Sequence, residues 1–245
     1  MTPRERVLAA IDHREPDRVP VDLGGMRSTG VMALAYADLR RHLGLGDEGI
    51  LVFDPGQQLA LVEEPILDRY GADVVPLDSG TLAGWQPWTL ADGTQVALTA
   101  GFAIEPDGQG GWYHVAGGRR VAYKPADSYY FDSIYTPLAG EVTASDVERY
   151  EMGGMSEEGL RLLEGEAKRL RSATDRAIMG GFGGAFLEGG QGLRGWDQFL
   201  VDLALDRPLA EAILDKILER NLANVRSYLD AVGDYIDLVQ VGGDL

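Results

Sequence analysis

Apolar positions first recur along this chain at helical spacing. Thr2-Pro3-Arg4-Glu5 is a capping box with proline at the first helical position, and Val7, Leu8 and Ile11 supply one apolar face. Pro16 closes that helix, because the residue ahead of a proline avoids the helical region. The run Arg18 to Leu23 then predicts a short buried strand, broken by Gly24 and Gly25. A second helix is predicted from Val31 to Leu43, with Gly44 as its cap, and a third from Leu59 to Tyr70, stopped by Gly71. Asp73 to Leu77 follows at once as a strand, which is the αβ step of a βαβ unit.

Residues 81–137 break this rhythm. Asp92-Gly93 and Gly117-Gly118 are hairpin-turn dipeptides, flanked by short segments such as Gln95 to Leu98 and Gly111 to Val115. The stretch is rich in aromatics, among them Trp85, Trp88, Trp112, Tyr113, Tyr123 and Phe131. It is read as an antiparallel β insert, and its aromatics either build a small core of their own or form a lid. The βα rhythm returns with a helix from Ser156 to Arg171, acidic at its start and basic at its end, and a strand from Arg176 to Gly180. Helices from Gly195 to Leu205 and from Pro208 to Ala231, the second behind the cap Asp206, lead to a last strand, Tyr235 to Val241.

Strands separated by helices indicate a parallel α/β fold, either a barrel or a doubly wound open sheet. The chain stops directly after a buried strand, so the sequence is expected to supply only part of a larger fold. All 245 residues are read as one unit, with 81–137 inserted in it. The edge offered by Tyr235 to Val241 has no Lys or Pro to guard it, so a homo-oligomer, or completion by another chain, is expected.

Composition narrows the classes. The formal net charge of -17 argues against nucleic acid or an anionic membrane surface as partner. The charged N-terminus lacks the apolar core of a secretory signal, and no run reaches the length of a membrane span; a cytoplasmic protein is expected. With no cysteine there are neither disulfides nor thiolate metal sites, and His13, His42 and His114 are scattered. The glycine runs at 180–184 and 189–192 match neither a dinucleotide fingerprint nor a P-loop.

Several stretches, taken in order, resemble the uroporphyrinogen decarboxylase superfamily, which includes cobamide-dependent methyltransferases. They are Thr2 to Ala10 with Pro16 to Val21, Pro65 to Asp73, Phe186-Leu187-Glu188-Gly189-Gly190, and Asp237 to Leu245. The resemblance implies a (β/α)8 TIM barrel, of which this chain would form the N-terminal part, strands one to four, with the insert after strand two. It implies one of two activities. One is decarboxylation of uroporphyrinogen by a carboxy-lyase. The other is methyl transfer between a small methyl donor and a cobamide or thiol acceptor, with the corrinoid carried by a partner protein and zinc held mostly by residues beyond 245.

Against the decarboxylase pattern Met-Arg-Gln-Ala-Gly-Arg, this chain has Met26-Arg27-Ser28-Thr29-Gly30-Val31, so the second arginine is lost. The family's aspartate after strand two aligns with Gly80, two residues past Asp78, and its tyrosine aligns with Ala185. These departures turn the expectation toward a methyltransferase, with an altered decarboxylase or an inactive, ligand-binding barrel fragment as alternatives. Barrel active sites lie at the C-terminal ends of strands. That rule selects Arg27, Asp78 and Glu188 as catalytic candidates and Arg27 and Asp244 as substrate contacts. Arg27 is read as a carboxylate or phosphate clamp, Asp78 as a hydrogen-bond acceptor or a plain turn residue, and Glu188 as part of a glycine-rich loop.

Overall fold

The computed structural model describes residues 1–243. Asp244, a candidate substrate contact, lies outside the described residues. Helix α1 (Pro3–Ile11) starts at Thr2, whose hydroxyl accepts from the Glu5 amide while the Glu5 carboxylate accepts from the Thr2 amide.

Arg18 to Leu23 forms no strand, contrary to the pattern. Pro20 has no N–H to offer a ladder. The segment instead meets its neighbour through Val21, whose carbonyl accepts from the Asp73 amide (2.7 Å) and whose amide donates to the Asp73 carboxylate (2.8 Å).

The next helix starts later than its periodicity suggests. Strand β1 (Val31–Met32) precedes α2 (Ala33–His42), and the unanticipated strand β2 (Ile50–Asp54) follows. Strand β3 (Leu59–Ala60) takes the beginning of the predicted third helix, because Leu59 and Ala60 pair with both β1 and β2. That helix, α3 (Glu64–Tyr70), starts beside Pro65 and ends at Gly71 in the left-handed region at φ 62°. Strand β4 (Val74–Leu77) follows.

Residues 81–137 contain strands β5 (Trp85–Thr89), β6 (Gln95–Thr99), β7 (Ile104–Pro106), β8 (Trp112–Ala116), β9 (Arg119–Lys124) and β10 (Asp132–Ser133). The last four form an antiparallel sheet in the order β10-β9-β8-β7. The β5–β6 hairpin joins a second sheet, β1-β3-β2-β6-β5, in which β2 and β6 run parallel. Most aromatics here pack on one another: the Trp88 ring lies 5.9 Å from both Trp112 and Phe131, and Phe102 stacks on His114 at 3.7 Å.

The chain then runs through α4 (Ala144–Arg149), α5 (Glu157–Ala173), β11 (Ala177–Gly180), α6 (Leu187–Arg194), α7 (Trp196–Leu205), α8 (Arg207–Val232) and β12 (Leu238–Val239). Gly189, Gly190 and Gly192 are helical, not part of a loop. A Cβ on Gly190 would stand 2.1 Å from the Phe199 ring, so this glycine lets α6 close onto α7.

Strands β4, β11 and β12 form a parallel sheet in chain order. Side chains alternate between its faces. Val75, Leu77 and Ile178 join a core with Leu163 and Ala167 of α5 and Tyr228 and Val232 of α8. Both crossover helices therefore cover the same face, and they pack against each other. On the other face Val74 and Ala177 meet Val7 of α1. The fold is mixed α/β; β4, β11 and β12 make an open three-stranded sheet rather than a closed barrel. No helix among the described residues is long and apolar enough to cross a membrane.

Helix α1 is fastened under the sheet by charge. Asp73, fully buried, accepts from Arg6 (2.5 Å), Arg18 (2.8 and 3.0 Å) and the Val21 amide. Arg6 also holds Asp17 through two bonds of 2.6 and 2.9 Å, and this pairing keeps the Asp17 carboxyl below the usual carboxylate range. Asp237 repeats the device at β12, with the Ile178 amide at 2.8 Å, Arg171 at 3.0 Å and Arg4 at 3.3 Å. Removing one partner of a buried ion cluster leaves the other charge uncompensated. Asp73→Asn is therefore expected to cost about 3–5 kcal/mol in urea unfolding. A change within 0.5 kcal/mol, which is roughly what a surface substitution gives, would show that the cluster carries no structural weight.

Candidate functional site

A cavity of about 650 Å³ opens at the C-terminal ends of β4 and β11 and beyond β12. Its wall includes Arg27, Asp78, Glu188 and Gln240, with Met26, Leu77, Met155, Met179 and Phe182 as the apolar part. Three sequence candidates, Arg27, Asp78 and Glu188, are thus brought to one cavity. The sheet positions them: Asp78 directly follows β4, and Gly24-Gly25 turn the chain ahead of Arg27 into a short 3-10 turn. Gly24 (φ 82°) sits against Val62, and a Cβ on Gly25 would overlap Val74 at 2.7 Å.

Arg27 is not an unengaged clamp. Its side chain is 49% exposed and bonds to Asp54, and its other arm reaches Asp78 at 3.2 Å. Burial opposes its charge, but the two carboxylates outweigh that, and its pKa stays above the ordinary arginine value. Asp54 is the residue that the sequence reading missed. It ends β2, and the apolar run Ile50-Leu51-Val52-Phe53 before it was the available signal for a strand that delivers a carboxylate. The other Asp54 oxygen accepts from the Gln57 amide at 2.9 Å. Asp78 also caps a 3-10 turn by accepting from the Gly80 amide at 2.7 Å, so the turn role and the cavity role coexist.

Glu188 lies in the first turn of α6, where its charge suits the helix dipole. A Cβ on Gly243 would stand 3.8 Å from its carboxylate, so α6 and the segment after β12 meet here. Between them, Gly183 (φ 94°) and Gly184 (φ 97°) make the turn after β11, a conformation that other residues rarely adopt.

A second cavity of about 400 Å³ shares Arg27, Phe53, Asp78 and Ser79 with the first. It extends toward Asp54, Thr99, Gly101 and Phe102, so β6 and the residues after it form one side. Arg27 is the one cation among the described residues lining either cavity. No group of three or more His, Cys, Asp or Glu among the described residues could hold a metal ion. Asp54 and Asp78 already grip the Arg27 guanidinium, and the resemblance places the zinc ligands mostly beyond residue 245.

Under the cavity floor, the hydroxyl of fully buried Tyr228 has no well-formed hydrogen bond. Burial pushes its pKa up to about 12; Asp78 adds to the rise and the Gly181 amide pulls the other way. A Cβ on Gly180 would fall 2.0 Å from that hydroxyl.

Comparison with protein-family models, with curated proteins and with solved structures finds no match.

Gly180→Ala is expected to destabilise the fold by about 1–3 kcal/mol through overpacking. Because the next atom of the ring lies at 3.1 Å, most of that cost should vanish in the Tyr228→Phe background. A double-mutant cycle with no coupling would contradict this packing. The same Tyr228→Phe variant reads the hydroxyl's titration. The folded state holds that proton up to about pH 12, whereas the unfolded chain releases it near the ordinary value of 10.0. Raising the pH through this window therefore favours unfolding. Wild type should lose stability between pH 10 and 12 more steeply than the variant, and equal slopes in alkaline unfolding would refute the assignment.

Proposed function

We propose that this chain is the N-terminal part of a uroporphyrinogen decarboxylase-type (β/α)8 barrel and that its activity is corrinoid-linked methyl transfer. The barrel reading draws support from strand order. β4, β11 and β12 lie side by side in chain order, with both crossover helices on one face. A doubly wound sheet would place crossover helices on both faces and reverse its strand order. The cavity lies at the end of the strands where barrel enzymes work.

The observation that carries the choice of chemistry is the charge of that cavity. Its one lining cation among the described residues, Arg27, is held by Asp54 and Asp78. A substrate bearing many carboxylates needs converging cations, and here it would meet Asp78 and Glu188 instead. A small methyl donor or acceptor needs no such cations. The wall of Met26, Leu77, Met155, Met179 and Phe182 excludes water from part of the cavity, while Asp78, Gln240 and Ser79 offer hydrogen bonds that orient a small molecule. In this reading Arg27 is a positioning residue that fixes Asp78, and the corrinoid arrives on a partner protein docked over the cavity mouth.

The test is anaerobic incubation of the full-length protein, of which this chain is proposed to be the N-terminal part, with methylcob(III)alamin and mercaptoethanol, following loss of the methylcobalamin absorbance. Protein-dependent demethylation is expected, reduced about tenfold in Asp78→Asn by loss of one charged hydrogen-bond acceptor. Decarboxylation of uroporphyrinogen, with no methyl transfer to or from cobalamin, would overturn the proposal.

A further inference from the structure

We propose that the second cavity, between Arg27 and the β6 end of the insert, is a binding site for a small organic cation that carries at least one N–H. Three observations converge on it. The first is an unpartnered hydroxyl. Thr99 is 4% exposed, and its Oγ1 has no hydrogen-bond partner among the described residues. Thr99 lines this cavity and not the larger one. A Cβ on Gly101 would stand 3.7 Å from that oxygen, which puts the hydroxyl on the Gly101 side of the wall, itself part of the cavity lining. A buried hydroxyl without a partner is costly, and a ligand donor that reaches it removes the cost.

The second is the local charge. Asp54 and Asp78 face one guanidinium, which leaves this corner net negative by one charge. Each carboxylate accepts one backbone amide, Gln57 and Gly80 respectively, and an ionised carboxylate has about four acceptor positions. Capacity therefore remains for a ligand's N–H groups. Arg27 keeps N–H groups that face neither carboxylate, but an anion reaching them would also meet Asp54 and Asp78.

The third is the remaining wall. Phe53, which carries Arg27 over its ring at 6.0 Å, and Phe102, which stacks on His114 at 3.7 Å, contribute aromatic surface for an apolar body. A volume of about 400 Å³ accommodates an apolar body as well as the cationic head. The ligand class is thus an amine or amidine with a compact apolar part, its head at Asp54, Asp78 and Thr99 and its body along Phe53 and Phe102. This site does not depend on methyl transfer, and its test reads binding alone.

The experiment is calorimetric titration of the full chain at pH 7.5 with benzylamine, benzyltrimethylammonium and benzoate. Benzylamine is expected to bind saturably. Benzyltrimethylammonium keeps the charge but has no N–H, and should bind about tenfold more weakly. Benzoate should show no binding. Thr99→Val is close in shape and removes only the hydroxyl, so its melting temperature should stay level or rise. In that variant benzylamine should bind about tenfold more weakly, while benzyltrimethylammonium, which has no N–H to lose, should be unchanged. The proposal fails if benzylamine does not saturate, if benzoate binds as well as benzylamine, or if Thr99→Val leaves the preference for benzylamine intact.

Discussion

The carboxylate of Asp73, sealed beneath the parallel sheet, collects Arg6, Arg18 and the Val21 amide, and much of the remaining geometry follows from that gathering. A buried charge is tolerated only when it is paired and hydrogen-bonded. Asp73 meets that condition by drawing in α1 and the extended segment around Val21. The segment then leads through Gly24-Gly25 to Arg27, at the opposite end of β4. The two ends of one short strand are thereby linked: a structural ion cluster at its beginning sets where the cavity's arginine stands at its end. Asp237 applies the same device to β12.

At the C-terminal end the balance of charge is reversed. Arg27 is outnumbered by Asp54, Asp78 and Glu188, and it is bound to the first two. An arginine between two carboxylates is fixed in place, and its value for recruiting an anion is largely spent. Its effect is to hold two acceptors in a defined orientation where two cavities meet. The electrostatics of the site therefore point toward neutral or cationic ligands.

Much of the parallel framework could be read from periodicity and punctuation. The capping box at Thr2, the stop at Gly71, the Asp206 cap and the strand before Gly180 are local signals, and local hydrogen bonds satisfy them. The misreadings came where long-range pairing overrode local pattern. Val31 and Leu59 have helix-compatible spacing, yet they pair with each other's strands across the chain. Arg18 to Leu23 has strand-like composition, but Pro20 denies it a ladder and Asp73 captures Val21 instead. The glycines after Glu188 read as a loop because nothing local reveals that Phe199 packs where a side chain on Gly190 would stand. Arg27 and Asp78 could be found from their positions after strands. Asp54 was signalled only by the apolar run Ile50 to Phe53 ahead of it, in a strand whose pairing is completed by the distant β6.

We propose that ligands bind at the C-terminal ends of β4 and β11, while the ion clusters at the other end hold the sheet together. Amide hydrogen exchange of the full chain, with and without methylcob(III)alamin, tests this most directly. Slowed exchange is expected in residues 25–28, 78–81 and 181–185, with residues 4–18 unchanged. Slowing confined to residues 4–18, or none in the three segments at saturating ligand, would contradict it.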